Sequence, residues 1–467
     1  MHALFAINDP ASQSPTIERF VRQLAPELRF AEVEVTIVSP YASFQNDSQL
    51  AERLSTLTVE TTSGEQKVRV LEGRTQQSIR HFFLSNGRYL DSAQTDPHLR
   101  AAFFSKAVCE FVLSLSSTID IIHCNDWQSS LVPVFLEECY AEVDALAPVM
   151  VLTTIHDPRE LGVCKPEILL EMCLPAHVCH PDNLGHEGAV SMLKGGILYS
   201  DGLSLLSESF VHEYLKDGGA FGLDESVQAR QEDLFGVRIG VDYSGWDPKT
   251  DPLLAKNFDR EYLNGKRQCK ADLQRIAKLP IIPNVPLFLF CGELIEHKGL
   301  DLVSDVLDDL MDAGAQLIIA GCGAPEYETA AQAWAGEFPK QVSVFDKVDL
   351  ALTHRALSGA DILLLPSRWE VFEDLHLFAM KYGTIPCARA IGPYKDDLEA
   401  VDDLGKQGTA FLFDEYTPDD LYRALDEAVS LYALQRQWRG LQSRAMMRSA
   451  TLRNTAVAYK KLYEELL

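Results

Sequence analysis

The chain has 467 residues, 46% of them hydrophobic and 24% charged, an ordinary globular composition in a length that exceeds one core, so two domains are expected. Its 42 basic and 68 acidic residues leave a net charge of −26, which argues against nucleic acid or an anionic membrane surface as a partner. No apolar run reaches the roughly 18 residues of a spanning helix, and ten cysteines without a regular framework fit a reducing cytoplasm better than a disulfide-stapled exported chain.

Residues 1–9 read as a first strand and not as an export signal, because they lack a basic start and a long apolar stretch. A helix is expected over 14–28, where Pro15-Thr16 makes an ordinary helix start. Strands follow at 30–40, 119–123 and 149–155, with a helix over 99–114 between them. These strands are apolar, β-branched runs bounded by polar or turn residues, as in buried parallel sheets. Cys164, Cys173, His177, Cys179, His180 and His186 gather next. Their types suit a metal, but no CxxC pair or familiar zinc spacing is present, so no metal is expected and the cysteines read as core fillers.

Trp246-Asp247-Pro248-Lys249-Thr250-Asp251-Pro252 reads as a linker. The alternation then repeats, with a strand at 286–291, a helix at 300–313, strands at 315–321 and 361–366, a helix at 375–382 and a helical tail at 452–467. The expected organisation is an α/β chain with domains at 1–245 and 283–440, a linker at 246–282, and a C-terminal helical segment at 441–467. In open parallel sheets ligands bind beyond the carboxyl ends of the strands. His123-Cys124-Asn125-Asp126, Thr154-Ile155-His156-Asp157, Gly292-Glu293 and Arg368-Trp369-Glu370 all lie at such ends, which points to a cleft fed by both domains.

These turns carry a family resemblance. Ile121-Ile122-His123-Cys124-Asn125-Asp126-Trp127-Gln128 resembles the His-x-His-Asp-Trp-Gln turn of bacterial glycogen synthases and plant starch synthases, and Thr154-Ile155-His156-Asp157 is similar to their Thr-Ile-His-Asn turn. Phe103 to Ala107, Leu193 to Asp201, Gly240-Val241-Asp242, Lys298-Gly299-Leu300-Asp301, Ala379 to Thr384 and Gly408 to Phe411 continue the series in order over nearly the whole chain. The resemblance implies a GT-B glycosyltransferase: two Rossmann-like domains facing a central cleft, with a C-terminal helix crossing back to the first. It further implies transfer of glucose from ADP-glucose, or sometimes UDP-glucose, to an α-1,4-glucan with retention of configuration, and no metal or other cofactor.

Residue by residue, the resemblance makes Glu370, His156 and Asp126 the catalytic remnant and Lys298 a donor-binding residue. Each has a plainer alternative: Asp126 as a helix cap, His156 as a structural hydrogen bonder. The departures gather where the family holds the donor diphosphate. The family Arg is Glu293, which turns a partner into a repeller. Like charges about 4 Å apart cost about 4 kcal/mol at an effective dielectric of 20. In the family's Glu-Pro-Cys-Gly-Leu-Thr run, Glu373 replaces the Gly, Asp374 follows, and Leu375 replaces the Thr. Acidic side chains thus lie where backbone N–H groups should cradle phosphate, and where they also favour the helix dipole. The Lys-x-Gly-Gly-Leu loop is replaced by Gln13 to Ile17, and the Asn before Gly-Val-Asp is Ile239.

The expected function is therefore that of a pseudoenzyme or strongly impaired transferase on a glycogen-synthase scaffold, binding an α-glucan or maltooligosaccharide, or regulating an active synthase or another protein. The alternative is an active retaining glucosyltransferase using ADP-glucose or another donor.

Overall fold

The computed structural model describes residues 1–8, 15–41, 51–52, 56–370, 373–402 and 404–467. The chain divides into two compact units, Met1–Arg238 with Leu452–Leu467, and Ile239–Thr451.

The first unit contains β1 (His2–Ala6), α1 (Pro15–Phe30), β2 (Glu34–Pro40), β3 (Gly64–Arg74), β4 (Arg80–Ser85), α2 (Pro97–Ser114), β5 (Ile121–Asn125), α3 (Asp126–Ser129), α4 (Leu131–Tyr140), β6 (Met150–Ile155), α5 (Met192–Tyr199), β7 (Gly202–Leu205) and β8 (Leu234–Gly236). Its main sheet runs β8-β7-β6-β5-β1-β2-β4-β3, with two short strands, Ala51–Glu52 and Leu57–Thr61, on the outer side of β3. From β8 to β4 every pairing is parallel, and β3 returns antiparallel to β4. β1 and β5 are buried at every position, as expected of parallel strands covered by helices on both faces. The chain builds outward from β1 through β2 and then returns to place β5 on the other side of β1. The strand order therefore reverses at β1/β5.

The terminal helix Leu452–Leu466 completes this unit's polar interior. Tyr463 Oη lies 2.7 Å from His123 Nδ1, and the other imidazole nitrogen meets Thr154 Oγ1 at 2.6 Å. Thr154 in turn bonds Ser204 at 2.6 Å and Tyr459 at 3.3 Å. His123 is fully buried, and burial holds its pKa well below the ordinary value, so this ring acts as a neutral structural group.

The second unit contains α6 (Asn264–Ile276), β9 (Leu287–Cys291), α7 (Leu300–Asp305), β10 (Gln316–Ala320), β11 (Val342–Phe345), α8 (Leu350–Gly359), β12 (Ile362–Leu365), α9 (Leu375–Lys381), β13 (Ile385–Arg389), α10 (Gly392–Asp397), β14 (Phe411–Phe413), α11 (Pro418–Ala433) and α12 (Gln435–Met447). Its sheet runs β11-β10-β9-β12-β13-β14, with parallel pairing throughout. The order reverses at β9/β12.

Three expectations change. Of the segment expected over 441–467, only Leu452–Leu467 belongs to the first unit, and residues up to Thr451, with the end of α12, belong to the second. Residues 246–282 are not an extended linker: they carry α6 and belong to the second unit. Trp246 stacks on His354 at 3.7 Å, and buried Asp251 accepts from Tyr382 at 2.5 Å and contacts His354 Nδ1 at 2.7 Å. The helix expected over 300–313 is two, broken at Val306 (φ −113°, ψ 8°), a β-branched residue that favours helix weakly.

Candidate functional site

In the second unit the switch point β9/β12 gathers the predicted donor-side residues. The turn after β9 carries Glu293 and, four and five residues later, His297 and Lys298; the turn after β12 carries Ser367 to Glu370. Arg368 N donates to His297 O at 2.7 Å, joining the two turns, and the rings of His297 and Trp369 stack at 4.0 Å. Gly299 permits this closeness. Its φ is +81°, and a Cβ there would collide with the Pro366 carbonyl, so only glycine suits the position.

Lys298 thereby reaches two carboxylates. Its Nζ donates to Glu370 Oε2 at 2.7 Å and to Glu373 Oε2 at 2.9 Å. Glu373 does more: its other oxygen accepts the backbone N–H groups of Asp374 at 3.1 Å and Leu375 at 3.0 Å. A side-chain carboxylate thus sits on the N-terminus of α9 while paired to lysine, two kinds of donor that favour an anion. Asp374 is the N-cap residue, yet its side chain makes no capping bond; Glu373 performs that role.

Glu370 is 4% exposed and also accepts from Ser367 Oγ at 3.3 Å and Tyr394 Oη at 3.4 Å. One ammonium serves two carboxylates, so the cluster is acidic by one charge when both are ionised. Burial raises the Glu370 pKa, although Lys298 pulls against it. Burial also acts to raise Glu373, but Lys298 and the helix N–H groups outweigh it and the pKa falls. For Lys298, burial lowers the pKa and the two carboxylates overcome that, raising it. Glu373 is the anion that holds the lysine, and Glu370 is the more easily protonated partner.

Of the other substituted positions, Glu293 is exposed and has no ion pair among the described residues. Leu375 is half-buried in the first turn of α9 and packs on the unit's core. Ile239 is half-buried at the first residue of this unit. Gln13 lies outside the described residues.

In the first unit, Asp126 and His156 come together at the ends of β5 and β6. Asp126 does not cap α3 with its side chain: Asn125 is the N-cap residue, and Asp126 is the first helical residue, with φ +48°. Its Oδ1 instead accepts the backbone N–H groups of His156 at 2.6 Å and Asp157 at 3.1 Å. The carboxylate therefore fixes the turn carrying His156. Burial raises its pKa well above the usual value, with those N–H groups pulling it down. His156 Nε2 lies 2.9 Å from Asn125 Oδ1, and the ring packs edge-on to Phe20 at 5.6 Å. Burial lowers the His156 pKa to about 3, so the ring is neutral near pH 7.

Sequence reasoning missed Tyr394, which reaches Glu370 from 24 residues downstream, and the buried pair of His376 Nε2 with Asp397 Oδ2 at 2.9 Å. Neither carries a local pattern, since both contacts join α9 or its preceding turn to α10. Among the described residues, no group of three or more His, Cys, Asp or Glu side chains is placed to hold a metal ion, and no helix is long and apolar enough to cross a membrane.

Two doubly wound units with polar residues at their switch points define a GT-B glycosyltransferase fold. Residues 18–229 match the family described as the starch synthase catalytic domain, and residues 274–440 match glycosyl transferases group 1. The glycogen synthase of Caldicellulosiruptor bescii is 30% identical, covering 100% of both chains, and that of Thermotoga maritima is 32% identical over 93% of this chain and 92% of its own. The catalytic domain of starch synthase IV from Arabidopsis thaliana, solved bound to ADP and acarbose, superposes with a TM-score of 0.87 at 22% identity, covering 100% of this chain and 99% of that one. The chain belongs to the glycogen and starch synthase family.

Proposed function

We propose that this chain is a glycogen/starch-synthase-like protein of α-1,4-glucan metabolism in the cytoplasm whose donor site no longer accepts a nucleotide diphosphate, making it a pseudoenzyme or a strongly impaired transferase that binds an α-glucan or regulates an active synthase. The observation that carries this reading is the Glu373 carboxylate, bonded both to Lys298 and to the N-terminus of α9. Transfer requires preorganised donors for the charge developing on the leaving diphosphate, and here an internal anion engages those donors. Glu293 adds repulsion where the family's second cation would stand.

A glucan remains a suitable ligand because sugar hydroxyls need hydrogen bonds and not a cationic cradle. The related starch synthase was solved bound to both ADP and acarbose. A second reading, active transfer from ADP-glucose or another donor, is favoured by the presence of Asp126, His156, Lys298 and Glu370 and by the names of the related glycogen synthases.

The deciding experiment is incorporation of labelled glucose from ADP-glucose and UDP-glucose into glycogen, beside calorimetric titration with ADP and maltotriose. The proposal expects negligible incorporation, ADP affinity weaker than micromolar and measurable maltotriose binding. Robust turnover that disappears in Glu370→Ala would establish the second reading instead.

A further inference from the structure

We infer that the outward face of α12 docks an acidic amphipathic helix of a partner protein. The inference rests on the regulatory part of the proposed function and assigns it a surface and a kind of partner. In a chain of net charge −26, residues 428–463 carry seven basic residues and no acidic one. Four of these cations are engaged. Arg444 donates to Gly405 O at 3.0 Å and Gly408 O at 2.9 Å, Arg448 pairs with Glu399 at 2.9 Å, Lys460 with Glu32 at 3.4 Å and Lys461 with Glu465 at 3.4 Å. Arg436, Arg439 and Arg453 are exposed and have no ion pair among the described residues, and the first two share α12.

Buried Trp438, Leu441, Gln442 and Ala445 fix the inward side of α12. Arg436, Gly440, Ser443 and Met447 recur at i, i+4, i+7 and i+11 on the opposite side, with Arg439 beside them. The stripe is about 16 Å long at the helical rise, and Met447 at its end is 61% exposed. Gly440 stands mid-helix, where glycine is less stable than alanine. A Cβ there would meet the Arg444 side chain at an ordinary 3.5 Å, so the chain's own packing does not require glycine. A bare backbone at an outward position instead lets a second helix approach closely. Methionine adapts to apolar partner surfaces, and arginine is enriched where proteins meet.

Charge decides the occupant. The same face of a second copy would bring four unpaired guanidinium groups together, so like faces repel. An extended polyanion meets the acidic chain as a whole and is repelled by it. A single helix meets the patch alone, because charges beyond about 8 Å are screened at physiological ionic strength. Carboxylates one turn apart can each pair with a guanidinium in a charge-assisted contact, while small and apolar residues between them pack on Gly440, Ser443 and Met447.

The test titrates the full chain into a labelled synthetic helix with an alanine–leucine stripe flanked by glutamates, beside the same helix with lysine for glutamate, and follows anisotropy at physiological ionic strength. The glutamate helix is expected to bind saturably and the lysine helix at least tenfold more weakly. Arg436→Glu and Arg439→Glu are each expected to lose at least tenfold in affinity for the glutamate helix with unchanged thermal melts. Gly440→Ala is expected to bind it severalfold more weakly while melting above the wild-type temperature, an opposition that a merely structural glycine would not produce. Absence of binding, or equal affinity in the wild type and both arginine variants, overturns the inference. Light scattering of the chain alone is expected to show a monomer; self-association that Arg436→Glu abolishes overturns the inference in favour of a second copy as occupant. Glucose incorporation in the assay above overturns the loss of activity and leaves these outcomes unchanged, so the two readings fail separately.

Discussion

Replacing Glu373 by glycine should exchange stability for anion binding. The variant loses the carboxylate that accepts from Asp374 N and Leu375 N, a cap worth about 1 kcal/mol, and a glycine there adds about 0.5–1 kcal/mol of backbone entropy cost. Lys298 keeps Glu370 as its partner, so no buried charge is stranded. A loss of about 1–3 kcal/mol follows. In return, the helix N-terminus and one side of Lys298 become available to a diphosphate. A hydrogen bond to a charged group contributes about 1.5–3 kcal/mol, and even one regained at the low end corresponds to about tenfold in affinity. The expected result is ADP binding at least tenfold tighter in Glu373→Gly than in the wild type, with adenosine unchanged and Glu373→Gln intermediate, measured by calorimetry beside denaturant melts. Equal ADP affinity in the two proteins would refute the reasoning, as would an equal gain for adenosine, since the gain must come from the phosphates.

Lys298→Ala removes the one cation bonded to Glu370 and Glu373 among the described residues and should cost about 3–5 kcal/mol at neutral pH; urea denaturation reads this directly, and the loss should shrink in acid as Glu370, the carboxyl with the raised pKa, takes up a proton. Asp126→Asn keeps an oxygen for the N–H groups of His156 and Asp157 and should stay within about 1 kcal/mol of wild type, whereas Asp126→Ala orphans both donors at about 1–3 kcal/mol each; equal losses in the two variants would contradict the clamp. Burial, aided by Arg22, lowers the His81 pKa from 6.5 to about 3. Its neutral form contributes fully above pH 6.5 and its contribution is lost as pH falls toward 3, at about 1.4 kcal/mol per pH unit. His81→Asn should flatten the pH dependence of stability by that slope between about pH 6 and 4. Glu293→Arg, at an exposed position, should change stability by no more than about 0.5 kcal/mol while strengthening ADP binding, and unchanged affinity would remove Glu293 from the account.

The fold was legible where burial forces a pattern. β9 (Leu-Phe-Leu-Phe-Cys) and β12 (Ile-Leu-Leu-Leu) are continuous apolar runs because both faces of a parallel sheet are covered. Residues 246–282 misled because Pro and Asp signal a turn locally, while what decides their fate is nonlocal: Trp246 stacking on His354 and Asp251 bonding Tyr382. The same division holds at the site. Lys298, Glu370 and Glu373 stand out in short motifs. Tyr394 and the His376–Asp397 pair depend on contacts with α10, and the clamp of Asp126 on the turn after β6 spans 30 residues. Sequence spacing within one element carries no information about either contact.

Glu373 and Glu293 differ in a way that separates two routes to losing a ligand. A helix N-terminus beside a lysine attracts an anion from any source. If the chain supplies the carboxylate itself, the folded protein gains a cap and an ion pair at the moment the ligand loses its donors. The substitution at Glu373 is therefore stabilising in the unbound protein. Glu293 gains nothing comparable: it is exposed and has no ion pair among the described residues, so under the proposed function it acts on a diphosphate by repulsion alone. An anion site closed by both means presents a competitor inside and a barrier outside. Under the proposed function, removing the barrier leaves the competitor in place, so Glu373→Gly is expected to raise diphosphate affinity more than Glu293→Arg does.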